Sequence, residues 1–183
     1  MRKQACTMWF ASAALLTLCL AGMASAQQKY PYQHAATPQS SQSQYIQQHS
    51  IEVGDIPGHQ IRIVEIQRRY TSDHPMVMGT KVVETWTRGF SDYVNGIGPA
   101  QGYTIWVLED GNKFFTEWRG TSYSEATSTG ARRGTYHGTW QFVGGTGKFA
   151  TIRGVGTSDT EFDTDPKTGY NRPVDRGEYW FEQ

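Results

Sequence analysis

The sequence predicts an all-β protein: a single eight-stranded antiparallel β-barrel behind a signal peptide and a disordered leader. Three observations carry this. Beyond residue 50, apolar and polar residues alternate with period two over runs rich in β-branched and aromatic residues, and no stretch holds a helical period. Glycine-containing turn signals break these runs at hairpin spacing. The strand faces are mixed rather than apolar on one side only, which fits a barrel with a partly polar lumen better than a sandwich.

The N-terminal residues 1–26 read as a secretory signal peptide. Arg2 and Lys3 form a basic start, Ala11 to Ala21 is an apolar run too short to span a bilayer, and Ala24-Ser25-Ala26 is a small-residue cleavage site. The expected location is therefore periplasmic or secreted. Residues 27–49 are rich in Gln and Ser and nearly free of aliphatic side chains. They bury too little to offset their ordering entropy, so the composition predicts a flexible leader. The barrel domain is assigned to residues 50–183.

Eight strands are expected near 51–55, 60–70, 81–94, 102–109, 112–122, 133–143, 149–160 and 174–182. Asp110-Gly111 between YTIWVLE and NKFFTEW is a hairpin signal, because the turn needs residues that tolerate positive φ. Gly144-Gly145-Thr146-Gly147 and Asp165-Pro166-Lys167-Thr168-Gly169 separate later strands in the same way. Strict alternation in 81–94 puts Val82, Glu84, Trp86, Arg88, Phe90, Asp92 and Val94 on one side. In 133–143 it puts Tyr136, Gly138, Trp140 and Phe142 together.

Charge and cysteine usage exclude several functions. Without the two basic residues of the signal, 15 basic residues face 17 acidic ones. No basic excess is left to neutralise phosphates, so nucleic acid is not an expected partner. No second long apolar segment follows the signal, so the mature chain is expected to have no membrane span. Both cysteines, Cys6 and Cys19, lie in the signal, which leaves the mature domain without disulfide or thiol chemistry.

Motif tests point away from cofactors. Gly145-Thr146-Gly147-Lys148-Phe149-Ala150 is a loose match to a dinucleotide loop, but a β-branched, glycine-rich run follows where a helix is required. The five histidines show no zinc spacing. Asp159, Glu161, Asp163 and Asp165 alternate along one face. They are read as a solvated strand face rather than a calcium site, because no calcium-loop spacing is present. No metal and no cofactor is expected.

Trp86, Trp106, Trp118, Trp140 and Trp180 fall on five different expected strands. Core filling explains them, and so does a ligand cavity lined by some of them. Trp86, Trp106, Trp118, Tyr136 and Trp140 are the aromatic pocket candidates. Glu117 and Glu84 are carboxylates available for acid–base work.

The segment GTYHGTWQFVGGTGKFATIRGVGT, residues 134–157, resembles the allene oxide cyclase and dirigent-type barrel superfamily. The matching core is Gly144-Gly145-Thr146-Gly147-Lys148-Phe149 followed by Arg153-Gly154, and residues 102–122 loosely resemble the preceding hairpin. The resemblance implies an eight-stranded antiparallel barrel, a trimeric homo-oligomer, and a lumen for a small hydrophobic or aromatic molecule. Only Arg153 falls on a matching polar position, and it completes the candidate set. Ala150 stands where dirigent patterns usually carry Arg, so neither the cyclase nor the coupling activity is carried over. Gly138-Thr139-Trp140 is similar to the G-x-W of lipocalins and avidins, but those families place it on the first strand and here it lies on the sixth.

Three functions follow as expectations. The first is an exported barrel that binds a small apolar molecule. The second is an isomerase or cyclase in the same lumen, for which Glu84, Glu117, Arg119 and Arg153 are the polar groups to examine. The third is a structural or interaction barrel with a filled core.

Overall fold

The computed structural model describes residues 27–163 and 171–183. The signal-peptide expectation and the turn expected at 165–169 lie outside the described residues. Ten strands form one antiparallel sheet: β1 (Tyr30–Ala35), β2 (Ser41–Glu52), β3 (His59–Tyr70), β4 (Met76–Val77), β5 (Thr80–Val94), β6 (Gly98–Leu108), β7 (Lys113–Ala126), β8 (Arg132–Gly145), β9 (Ile152–Asp163) and β10 (Asn171–Phe181). Among the described residues a single 3-10 turn occupies Gly147–Phe149. Among the described residues no helix is long and apolar enough to cross a membrane.

From β2 to β10 the long strands pair with their neighbours in chain order, β4 pairs with β5, and β1 returns to pair with β10. The sheet order is therefore β1-β10-β9-β8-β7-β6-β5-β3-β2. Its two edges are consecutive in the chain. The five-residue connection 36–40 reaches from Ala36, whose N–H donates to Pro173 O at 3.1 Å, to Ser40, whose carbonyl accepts from Thr71 at 2.9 Å. So short a link holds the β10 and β3 sides near each other and curls the sheet around an interior. Arg68 of β3 also donates to Asn171 Oδ1 of β10 at 2.5 Å, across the opening.

This corrects the closed eight-stranded barrel. The ladder has ten strands and stays open, because β1 and β2 share no backbone pairing. The two-residue β4 lies between two expected strands, and β1 and most of β2 come from the segment that composition assigns to a flexible leader. That argument counts aliphatic burial, whereas an edge strand also gains a backbone ladder from its neighbour. β1 inserts Tyr32, 3 % exposed, and His34, 3 % exposed, into the interior. β2 contributes little burial beyond Ser41 and is held by its pairing with β3, reinforced by Gln44 Nε2 donating to Gln67 Oε1 at 2.8 Å. The strand expected at 51–55 is only the end of β2, and residues 53–58 turn into β3.

The turn chemistry is as the glycines require. Gly111 takes φ +82° between β6 and β7, and Gly147 takes φ +53° after β8. Alternation along β5 is broken by a bulge between Val82 and Glu84. Val82 is fully buried and Thr85 is 5 % exposed, so both face inward, and Glu84, Trp86 and Arg88 are turned to the outer face. The face expected to hold Val82 and Trp86 together is thereby split.

One end of the curled sheet is closed by apolar packing. Leu108, Phe114, Phe149, Ile152, Val77 and Val82 are all at most 1 % exposed there. Trp106 stacks on Phe114 at 5.3 Å, and Phe114 meets Phe142 at 4.9 Å. Such aromatic pairs contribute about 0.5–1.5 kcal/mol each beyond area burial. The 3-10 turn is tied across this end by Lys148, which reaches Thr80 Oγ1 at 3.0 Å and Asp110 at 3.0 Å. Toward the other end the inward residues include Ser91, Ser122 and Ser124, with Arg62, Tyr93 and Arg132 around them. The small serine side chains leave space where the aromatic end has none.

Candidate functional site

The space left inside is a cavity of about 540 Å³, lined from every long strand. It falls within the roughly 300–1,000 Å³ typical of small-molecule sites. The lumen is therefore not packed solid.

The cavity wall is shaped by one row of directly opposed residues. Trp118 on β7 stands opposite Trp140 on β8. Outward from Trp118, the row continues through Gly102 and Gly89 to Val64. Outward from Trp140, it continues through Gly156 and Gly177 to Tyr32. The indoles lie down over these glycines. A Cβ on Gly102 would stand 2.6 Å from the Trp118 ring, and one on Gly156 would stand 2.2 Å from the Trp140 ring. In the next row Gly120 and Gly138 are opposed, and the Tyr136 ring covers both. Tyr136 meets Trp118 edge to face at 5.8 Å. Glycine here lets large flat rings rest on the backbone instead of filling the lumen.

Polar groups complete the wall. Some are satisfied internally: Trp140 Nε1 donates to Thr157 O at 3.0 Å, Trp106 Nε1 donates to Thr116 Oγ1, and the Thr87 and Thr104 hydroxyls lie 3.0 Å apart. Arg68 donates from Nε to Ser43 Oγ at 2.8 Å. Five buried atoms on the cavity wall are left without a partner: Tyr32 Oη, Tyr70 Oη, Tyr136 Oη, Trp118 Nε1 and Arg62 Nε. Unpaired buried polar atoms are costly, and each calls for an explanation such as a ligand or water. Burial is the main cause that pushes the Tyr32 and Tyr136 phenols well above their ordinary value, and it pushes Tyr70 up to about 12. All three stay protonated across the physiological range and can donate.

A second polar feature lies between β1 and β10. His34 Nδ1 is 3.1 Å from Asp175 Oδ2, both residues are buried, and His34 Nε2 has no partner. The imidazole is held between Tyr70 at 5.5 Å and Trp106 at 5.9 Å, ring to ring. Asp175 itself lines the cavity. A carboxylate that fixes one ring nitrogen and leaves the other unbonded is the arrangement of an oriented general base.

Of the seven sequence candidates, Trp106, Trp118, Tyr136 and Trp140 line the cavity, and Trp86, Glu117 and Arg153 do not. Trp86 lies on the outer face in a shallow groove with Arg88 and Ile105, donating from Nε1 to Glu84 Oε2 at 2.9 Å. Glu117 is next to inward-facing Trp118 on the same strand, so the pleat turns it outward, where it accepts from Gln141 Nε2 at 2.7 Å. Arg153 pairs with Glu182 at 2.8 Å and donates to Ile152 O. Glu84 pairs with Arg69 at 3.1 Å on the outside, and Arg119 is exposed. None of the four polar residues named for a cyclase therefore faces the lumen.

The acidic row divides between an exposed pair at Asp159 and a carboxylate with only 5 % of its side chain exposed, Asp163, that lines the cavity. Asp159 meets His137 at 2.8 Å, Asp163 meets Arg133 at 3.3 Å, and Asp165 lies outside the described residues. Among the described residues, no group of three or more His, Cys, Asp or Glu gathers as a metal site would require.

Sequence reasoning missed Tyr32, His34, Arg62, Arg68 and Asp175. Tyr32 and His34 belong to the segment read as leader, and Arg62, Arg68 and Asp175 look like ordinary alternating charges on a strand. The available signal was the regular Tyr30, Tyr32, His34 spacing, which is strand-like. No family model, no curated protein and no solved structure matches this chain.

Proposed function

We propose that this is an exported protein that binds a small, largely aromatic molecule inside its curled sheet. The observation that carries the reading is the cavity of about 540 Å³, walled by Trp118, Trp140 and Tyr136 and holding five buried polar atoms without partners. A folded domain that keeps such atoms unpaired gains from a ligand that pairs them. Arg2, Lys3 and Ala24-Ser25-Ala26 support export to the periplasm or the medium. Residues 134–157 and the antiparallel meander support kinship with the allene oxide cyclase and dirigent-type barrels, which implies trimers. Fold kinship alone does not assign a ligand.

Native mass spectrometry of the protein purified from its own cell envelope tests the binding reading. The expected result is an added small-molecule mass that is lost on denaturation. A clean protein mass, together with no binding of aromatic probes, would overturn it.

A second reading is favoured by one observation, the His34–Asp175 pair with Nε2 unbonded. In that reading His34, which sits behind the cavity-lining Asp175, Tyr70 and Trp106, exchanges a proton at Nε2 with a molecule that reaches past them, as in an isomerase, while Asp175 keeps the ring in one tautomer. His34→Gln would then abolish turnover while leaving ligand affinity in place. Loss of affinity without any turnover in the parent protein would remove this reading.

A further inference from the structure

We infer that the ligand is an aromatic acid, with its ring against Trp118 and Tyr136 and its carboxylate or equivalent oxyanion at Arg62. This rests on the binding reading above and adds the chemical class of the ligand.

The hydrogen-bonding balance of the wall comes first. The unpartnered buried atoms on the cavity wall are an indole N–H, a guanidinium N–H and three neutral phenols. An indole and a guanidinium only donate, and a protonated phenol with no acceptor in reach is a donor awaiting one. The acceptors on the wall are largely engaged. Asp175 is held by His34, Asp163 accepts from Arg133, Asn171 Oδ1 accepts from Arg68, and the Thr87 and Thr104 hydroxyls serve each other. A ligand that satisfies the site must bring acceptors and has few groups to donate to. Saccharides donate as often as they accept and fit this balance poorly.

Charge comes second. Across the ladder Arg62 faces Ser50 on β2 and Ser91 on β5, not carboxylates. The nearby acids are committed elsewhere, Asp92 to His59 at 2.7 Å and Glu65 to Arg88 at 2.6 Å. The Arg62 guanidinium lies 6.0 Å from the Tyr93 ring centre, which supports the cation without neutralising it. A partly desolvated guanidinium with a free N–H is suited to an incoming oxyanion.

Geometry joins the two. A Cβ on Gly89 would meet both the Trp118 ring, at 3.1 Å, and Val64, at 3.3 Å. The far edge of the indole therefore rests beside Val64. Arg62 is two residues along the same strand on the same face, about 7 Å away. That offset is of the order of one aromatic ring, so a ring on Trp118 can present an acidic group to Arg62.

Isothermal titration of the purified protein with 2-naphthoate and with its neutral isostere 2-naphthamide tests the inference. The acid is expected to bind about 10–100-fold tighter than the amide, as a charge-assisted hydrogen bond provides. Arg62→Gln is expected to bring the affinity for the acid down to within a few-fold of that for the amide, and a preference kept in the variant would overturn the assignment of the oxyanion to Arg62. The unaltered protein supplies an independent readout. The preference should shrink as pH falls through the probe's own carboxyl range, near ~4, with the amide as control. Equal affinities for acid and amide, or tighter binding of a neutral disaccharide such as cellobiose, would overturn the aromatic-acid assignment and leave a binding cavity standing. No binding of any probe up to about 1 mM would overturn both.

Discussion

Trp118 and Trp140 stand directly opposite each other on β7 and β8, yet their indoles lie down in opposite directions, each over a pair of glycines. Trp118 rests over Gly102 and Gly89, and Trp140 over Gly156 and Gly177. Two large side chains in one row would ordinarily fill a curled sheet of this size. Here they become its wall, and the space between and above them is the cavity.

The glycines under the indoles should be intolerant of even one methyl group where the backbone is close. A Cβ on Gly156 would meet Arg176 O and the Trp140 ring, both at 2.2 Å, so Gly156→Ala is expected to cost about 1–3 kcal/mol. A Cβ on Gly89 meets only the Trp118 ring at 3.1 Å and Val64 at 3.3 Å, so Gly89→Ala should cost less. Urea unfolding of the two variants checks the order, and equal losses would contradict the packing described.

Removing an unpartnered hydroxyl should cost function and not stability. Tyr136→Phe keeps the ring over Gly120 and Gly138 but deletes an oxygen that has no partner. Stability is expected to hold or to rise by up to about 1 kcal/mol, while affinity for an acceptor-rich ligand falls. Thermal unfolding with and without ligand separates the two. A clear drop in the unliganded melting temperature would mean that the hydroxyl is paired in solution.

The β2–β3 turn carries a pH-sensitive clamp. His59 lies 2.7 Å from Asp92 and 2.6 Å from Asp55. Its pKa is raised first by the bond to Asp92 and then by that to Asp55. Asp55 is held low first by the Ile56 amide and then by His59. The His59 contribution is therefore fully present below the ordinary imidazole value of roughly 6.5 and is lost as pH rises through the raised one. The Asp55 contribution is present above the ordinary carboxyl value of roughly 3.9 and is lost as pH falls through the lowered one. Stability should be greatest between these limits. Denaturant midpoints across pH should show a decline on the alkaline side that is diminished in His59→Asn.

If β1 is an integral edge strand, Tyr32 anchors it. The ring is 3 % exposed and meets Trp140 and Phe142 edge to face, each at 5.3 Å. Tyr32→Ala should cost about 3 kcal/mol, in the range for deleting a buried aromatic ring. A flexible leader would give no change in the urea midpoint.

Much of the meander was legible in the sequence because period-two alternation and turn chemistry are local. Asp110-Gly111 makes the β6–β7 turn it suggests, and the long strands from residue 59 onward lie within a few residues of their expected positions. Four of the seven candidate residues line the cavity: Tyr136 and Trp140 share the side that alternation in 133–143 gives, and Trp106 and Trp118 are aromatic strand residues whose side no sequence pattern assigned. Trp86 could not be placed this way, since the bulge after Val82 resets the parity of β5 and no residue type announces it. Glu117 was chosen for its chemistry and Arg153 for its place in the resemblance, and the pleat turns both outward.

The sequence by itself determined an antiparallel β-protein with aromatic strands, no cysteine chemistry beyond residue 26, and turns at its glycines. These follow from side-chain period and backbone preference within a few residues. Only the tertiary structure decided that residues 30–52 join the sheet, because an edge strand is held by hydrogen bonds to partners that are remote in the chain, and composition does not record them. It also decided where His34 meets Asp175, 141 residues apart, and that Trp118 and Trp140 lie over glycines on four other strands. The cavity arises from that long-range register, in which small residues of one strand face large residues of the next.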